Sequence, residues 1–378
     1  MIYADNAATT KISANVLCAM LPLLSDEYGN PSSIYDFGGR ARRVIELSRV
    51  RVAEAVGANP REIYFTSGGT ESDNWAIKGT ASICRKKNKT HIISTTFEHH
   101  AVMGSLEFLR RSGFEVTFLD VGVGGIIDPA QLREAIRPDT GFVTIMFANN
   151  EIGTIQPIAE LGEICRSFDL LFHTDAVQAV GELEIDLGCL PVDLLSVSGH
   201  KIHAAKGVGV LYIRDGVEIA KFMDGGDQER GYRAGTENTA AIAGMGVAMQ
   251  DTVEGRESRI FVTKIRDRFI DGVLKLGNAR IHGDRKQRLS GNANIGFDGI
   301  DGELVVLMLN RYGICCSTGS ACGAGAIEAS HVIKALGYNA NKAKEAVRFT
   351  FSNENTVEEI DYILDKLKEI LNNNSENV

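Results

Sequence analysis

The stretch "EIYFTSGGTESDNWAIKGTASICRKKNKTHIISTT", Glu62 to Thr96, decides the fold. It opens on a β-prone run, turns through Ser67, Gly68 and Gly69, and passes straight into a segment whose apolar residues recur at helical spacing. It ends on a second β-prone run, "HIISTT". Strand, tight turn, amphipathic helix and strand make the repeating unit of a mostly parallel sheet covered by helices.

The same alternation extends outward from Arg61 to Arg214. Further strand candidates are "EVTFLDV", "FVTIMFAN", "LLFHTDA", "DLLSVSG" and "GVGVLYIR", and "AVMGSLEFLRRSG" and "IAELGEICRSFD" are helical between them. The closing strands have no helix between them, which predicts a partly mixed edge. From about Arg256 the texture changes to a long helical segment, "GNANIGFDG", a cysteine-bearing loop, "AVRFTFS" and a final helix. The expected division is a large domain over residues 15–255 and a smaller α+β domain formed by residues 1–14 and 256–378. Trp75 is expected in the core against the sheet.

Bulk composition excludes several functions. The chain has 378 residues, 44% of them hydrophobic, 24% charged, with a formal net charge of -9. This balance argues against direct nucleic-acid binding. No run approaches the ~20 apolar residues of a membrane-spanning helix, and the N-terminus lacks the order of a signal peptide. A cytoplasmic protein with reduced thiols is expected, and seven unevenly spaced cysteines give no disulfide framework.

Ligands of open α/β sheets sit at the carboxyl ends of the strands. Those ends carry complementary chemistry here. "SGGTESDN" is a glycine-rich turn entering a helix, where free N–H groups and the hydroxyls of Ser67 and Thr70 can hold a phosphate, with Gly69 in the turn. The next strand ends supply Glu98, His99 and His100, then Asn149, Asn150 and Glu151, then Asp175 and Gln178, then His200 and Lys201. Pyridoxal 5'-phosphate requires such a set: a phosphate cradle, a lysine for its aldehyde and a carboxylate for its ring nitrogen. His99 suits the ring face, and Asn150 or Gln178 the 3'-oxygen.

A second cluster raises a separate question. "GICCSTGSACGAG", Gly313 to Gly325, holds Cys315, Cys316 and Cys322. Metal ligation, a disulfide, core packing and nucleophilic catalysis are the alternatives. The spacing lacks the paired C-x2-C units of zinc and iron-sulfur sites, so no metal is expected.

The ordered motifs "YADNAATT", "YGNPSS", "FTSGGTESDN", "EHHAV", "NNEIGTIQP", "HTDAVQ", "SVSGHKIHAAKGVGVLYIR", "GGDQERGYRAGTEN", "STGSAC" and "AVRFTFS" resemble those of the cysteine desulfurases of NifS/IscS type. These belong to the class V aminotransferase group of fold-type I pyridoxal phosphate enzymes. The resemblance runs from Tyr3 to about Asp361. It implies a fold-type I architecture and conversion of L-cysteine to L-alanine, with sulfur passed to a protein thiol as a persulfide. A selenocysteine lyase or another β-lyase of the group is the alternative.

The resemblance also implies roles. Lys201 is similar to the cofactor-bearing lysine and Cα base, Asp175 to the partner of the ring nitrogen, and Gln178 to a group near the 3'-oxygen. His99 resembles the stacking, proton-handling histidine; Thr70, Ser198 and His200 resemble phosphate ligands. Thr236 would reach the phosphate of a neighbouring subunit, which implies a homodimer. Asn150 and Arg348 would bind the substrate carboxylate, and Cys322 would be the nucleophile and sulfur carrier. A sulfur-acceptor protein, such as a cluster scaffold or a tRNA-thiolation enzyme, is the implied partner. Tyr35 stands where many relatives have histidine. Cys315 and Cys316 have no counterpart in the motif and are expected to pack at a strand end. His91, His173, His203, His282 and His331 are expected to be structural or surface residues.

Overall fold

The computed structural model of the chain describes residues 1–319 and 329–375. Its strands, in chain order, are β1 (Ile2–Tyr3), β2 (Ile63–Thr66), β3 (His91–Thr95), β4 (Glu115–Leu119), β5 (Thr140–Thr144) and β6 (Leu171–Asp175). They continue as β7 (Leu194–Ser198), β8 (Gly209–Ile213), β9 (Ala279–Ile281), β10 (Asn292–Phe297), β11 (Ile314–Cys315) and β12 (Ala346–Thr350). Seven of them form the main sheet in the order β2-β8-β7-β6-β5-β3-β4.

Neighbours from β7 to β4 pair in parallel, and β8 runs antiparallel to both β7 and β2. The mixed edge anticipated from the missing helix is therefore a single reversed strand, second from the end. A parallel sheet must be covered on both faces. Side chains alternate accordingly along each strand. Ile93, Val143, Phe172, Leu195 and Val210 face one core, with Ile45, Leu161 and Met245 from covering helices. Ile92 and Phe142 face the other side with Ile77, Ala81 and Cys84, and Leu194, Leu211 and Ile213 meet Trp75 there.

Helix Gly69–Lys86 shows why the sequence folds this way locally. Its buried residues Gly69, Ser72, Asp73, Ala76, Ile77, Thr80 and Cys84 recur every three or four positions and form one stripe on the sheet. Trp75 is fully buried and spends its indole N–H on the Ala220 carbonyl at 3.0 Å. The second, smaller sheet has the order β12-β10-β9, all antiparallel. Phe269 packs between Phe349 and Phe351, at ring separations of 4.6 and 5.2 Å. Ile360, Ile363 and Leu367 of helix Val357–Ser375 close this core.

The N-terminal segment ties the two sheets' regions together. β1 pairs with β11, Asp5 bridges to Thr350, and Thr10 N–H then donates to the His200 carbonyl at 2.9 Å. Among the described residues no helix is long and apolar enough to cross a membrane.

One buried ion pair fixes a long connection. Arg49 donates to both carboxylate oxygens of Glu229 at 2.8 Å, and Phe65 N–H donates to the same carboxylate at 2.8 Å. Glu229 and Arg230 both have positive φ, 45° and 58°, a conformation non-glycine residues rarely hold without support. Removing Glu229 leaves the buried Arg49 with only the exposed Glu46, at 3.3 Å, as counter-charge. Glu229→Ala is expected to lower the unfolding free energy by about 3–5 kcal/mol, read from chemical denaturation. A loss below about 1 kcal/mol would contradict this assignment.

Candidate active site

The carboxyl ends of β3, β6 and β7 open onto a cleft of about 640 Å³. Gly69, Thr70, His99, Asn150, Asp175, Gln178, Ser198, His200 and Lys201 all line it. The topology explains the convergence. β6 delivers Asp175 as its last residue, β7 ends on Ser198, and the single 3₁₀ turn that follows carries His200 and Lys201.

At the head of the cleft, helix Gly69–Lys86 presents first-turn N–H groups that have no intrahelical acceptor. A Cβ on Gly69 would stand 2.7 Å from Val177 Cγ2, so only glycine lets the helix start approach this wall. Glu71, at the cleft edge, is held by Arg233 at 2.8 Å and accepts the Ser67 hydroxyl at 2.5 Å. That leaves the turn's N–H groups facing an open space bordered by Thr70, Ser198 and His200.

Burial sets the electrostatics. Lys201 donates to the carbonyls of Ala7 and Ala8 at 2.5 and 2.8 Å. Desolvation, with Arg348 nearby, brings its ammonium pKa down to about 8. Asp175 accepts the Val177 N–H at 2.9 Å; burial raises its pKa, opposed by His99 and Lys201. Burial lowers the His99 pKa, while its Nδ1 accepts the Ala101 N–H at 3.2 Å and caps helix His100–Arg111. His200 is brought down to about 4 by burial and by Lys201, with Nδ1 against Thr9 Oγ1 at 3.1 Å. A neutral-capable lysine thus lies in the same buried cleft as a carboxylate.

Arg348 lies in β12, nearly buried, and its environment differs from that of a free carboxylate receptor. Its guanidinium donates to Asp5 at 2.9 Å and to the Asn150 carbonyl at 3.1 Å, while its buried Nε has no partner among the described residues. Gln178 is likewise engaged, donating to the Ala7 carbonyl at 3.1 Å. Thr236 is exposed and lies outside the cleft of its own chain, as does Tyr35. Cys322 lies outside the described residues. Cys316 packs on the smaller core, and burial drives its thiol pKa far up; Cys315 sits on β11.

Sequence reading missed two contributors. Asp73, one turn beyond Thr70, faces the cleft, though its place in "ESDN" reads as an exposed helix start. Ala7 and Ala8 enter through backbone carbonyls, which residue type does not reveal. Their signal was the position of "ADNAATT" before the first helix, interpretable only once the fold brings it against Lys201.

The described residues fit pyridoxal 5'-phosphate. The N–H groups and hydroxyls at the helix start match a phosphate, Lys201 an aldehyde and Asp175 a protonated ring nitrogen. Comparisons with known proteins agree. The class-V aminotransferase family matches residues 2–363. A cysteine desulfurase IscS of Methanosarcina thermophila is 49% identical over 371 residues, covering 98% of this chain and 92% of that protein. One from Clostridium botulinum is 44% identical over 374 residues, covering 98% and 94%. Among solved structures, a NifS-like protein superimposes with a TM-score of 0.93 at 38% identity, covering 98% and 99%. SspA in complex with cysteine gives 0.83 at 35% identity, covering 93% and 99%.

The lowered pKa of Lys201 has a kinetic consequence. Only the neutral amine attacks an aldehyde, so uptake of the cofactor by apoprotein should accelerate about tenfold per pH unit below 8. Above that value it should level off, as followed by visible absorbance. A flat profile across the range would contradict the desolvated lysine.

Proposed function

Since the chain belongs to the class-V aminotransferase family, among its cysteine desulfurases, we propose that Lys201, Asp175 and Cys322 carry out sulfur abstraction from L-cysteine. The enzyme is dependent on pyridoxal 5'-phosphate. The observation that carries the residue assignment is the pairing, in one buried cleft, of a lysine with lowered pKa and a buried aspartate.

When bound, pyridoxal 5'-phosphate supplies an electron sink for negative charge developing at the substrate Cα. The phosphate would be held by Gly69, Thr70, Ser198 and His200, and by Thr236 of a second subunit. Asp175 would hold the proton of the ring nitrogen, Gln178 would serve the 3'-oxygen, and His99 would cover the ring and move protons. Lys201, neutral part of the time at physiological pH, would take the Cα proton. Asn150 and Arg348 would orient the substrate carboxylate, Arg348 by exchanging its bonds to Asp5 and the Asn150 carbonyl for the substrate's oxygens. The Cys322 thiolate would attack the substrate sulfur. The Cβ–S bond breaks, an S–S bond forms, and the proton given up by Cys322 is balanced by the one gained at Cβ, so that alanine leaves.

The wider setting is inferred from surfaces and thiols. Helices Ala14–Ser25 and Asp36–Ala55 leave Leu17, Leu21, Leu24 and Leu47 exposed, and Ile34 between them is fully exposed. An apolar face of this kind favours a homodimer. Among the described residues Cys18, Cys84, Cys165, Cys189, Cys315 and Cys316 are unpaired, consistent with work in the cytoplasm. The persulfide would pass to an acceptor protein serving cluster assembly or thiolation.

Purified protein is expected to absorb in the visible and to release alanine and sulfide in equal amounts from L-cysteine with a thiol reductant. Lys201→Ala should lose both properties. A protein that takes up the cofactor yet makes no alanine would contradict the proposal. Leu21→Glu with Leu24→Glu should halve the mass seen in sedimentation; an unchanged mass would place the subunit contact elsewhere.

A further inference from the structure

Asp73 is buried to 1% exposure on the inner side of helix Gly69–Lys86 and faces the cleft. Its Oδ1 has no hydrogen-bond partner among the described residues. One carboxylate oxygen of Asp73, one of Asp175 and a ring nitrogen of His99 all lie within 4.8 Å of one another. Two carboxylates this close and this dry do not both ionise, because desolvation and mutual repulsion act together against the second charge.

The surroundings decide which of the two is charged. Asp175 accepts a backbone N–H, and the groups that favour its charge are Lys201 and His99. Asp73 meets weaker partners. The Ser196 hydroxyl lies against its carboxyl group, and His173 Nε2 stands 3.7 Å away. His173 is no counter-ion: burial brings its pKa down to about 3, and its nitrogens are engaged by the hydroxyls of Thr144 and Ser196 at 2.8 and 3.0 Å. Glu98, close by, has its own pKa pushed up to about 8 by burial, so it is protonated at neutral pH and supplies Asp73 with no counter-charge.

We propose that Asp73 and Asp175 hold one proton between them and that it resides on Asp73. Asp73 is then a positioning residue: as a neutral acid it fixes Asp175 as the one anion offered to the cofactor ring. The inference rests on the reading of Asp175 as the partner of the ring nitrogen.

Infrared spectra of holoenzyme with isotope-labelled aspartate carboxyls test it. The wild type should show a label-sensitive band of a protonated carboxyl group, and Asp73→Asn should lose it. Ser196→Ala, which keeps the acid but removes its hydroxyl neighbour, should move the band to higher frequency. This second variant decides the matter if Asp73→Asn does not fold. No protonated-aspartate band in the wild type, or one that persists in Asp73→Asn or stands still in Ser196→Ala, overturns the inference. With the cofactor's visible absorbance intact, that outcome leaves the assignment of Asp175 standing. A wild type that takes up no cofactor fails the functional reading instead, and the band in its apoprotein still judges the proton pair.

Discussion

A half-buried amine organises this protein. Lys201 has the carbonyls of Ala7 and Ala8 as its hydrogen-bond partners and shares its buried cleft with Asp175. Desolvation weakens its hold on a proton, and an amine that is part neutral near pH 8 can act both as nucleophile and as base. Everything that walls this cleft contributes: the N-terminal segment crossing over from the small sheet, the covering helix Gly69–Lys86, and the strand ends beneath.

Buried acids form the counterpart. Asp73 and Asp175 line the cleft and Glu98 lies buried nearby, each with its pKa raised by burial. Glu98 is stabilised by the Thr95 hydroxyl at 2.7 Å and the Met146 N–H at 3.0 Å. Among buried acids desolvation favours the protonated form, so a single anion at Asp175 is what a cationic ring nitrogen would pair with. Histidine follows the same logic, since His173 is uncharged and serves as a link between hydroxyls.

Much of this was legible in the residues. Strand-helix alternation and strand-end chemistry gave the sheet and most polar residues of the cleft, because periodicity and end position are local properties, while Ser198 came only from the family resemblance. Three features were not legible. Asp73 looks like any acid near a helix start until the helix is laid on β6 and β7. The carbonyls of Ala7 and Ala8 have no side-chain signature at all. The engagement of Arg348 by Asp5 depends on a chain crossing between residues 343 positions apart.

The cysteines divide along physical lines. Cys316 is packed in an apolar core where a thiolate is strongly disfavoured, so it is poorly suited to nucleophilic attack. Cys322 is the thiol that the family resemblance assigns to receive sulfur. The most direct measurement is the mass of cysteine-containing peptides after a single turnover with L-cysteine and no reductant. The account predicts a gain of one sulfur atom on Cys322 and none on Cys315 or Cys316. Alanine release with the added sulfur on Cys316, or with no sulfur on any cysteine, would contradict it.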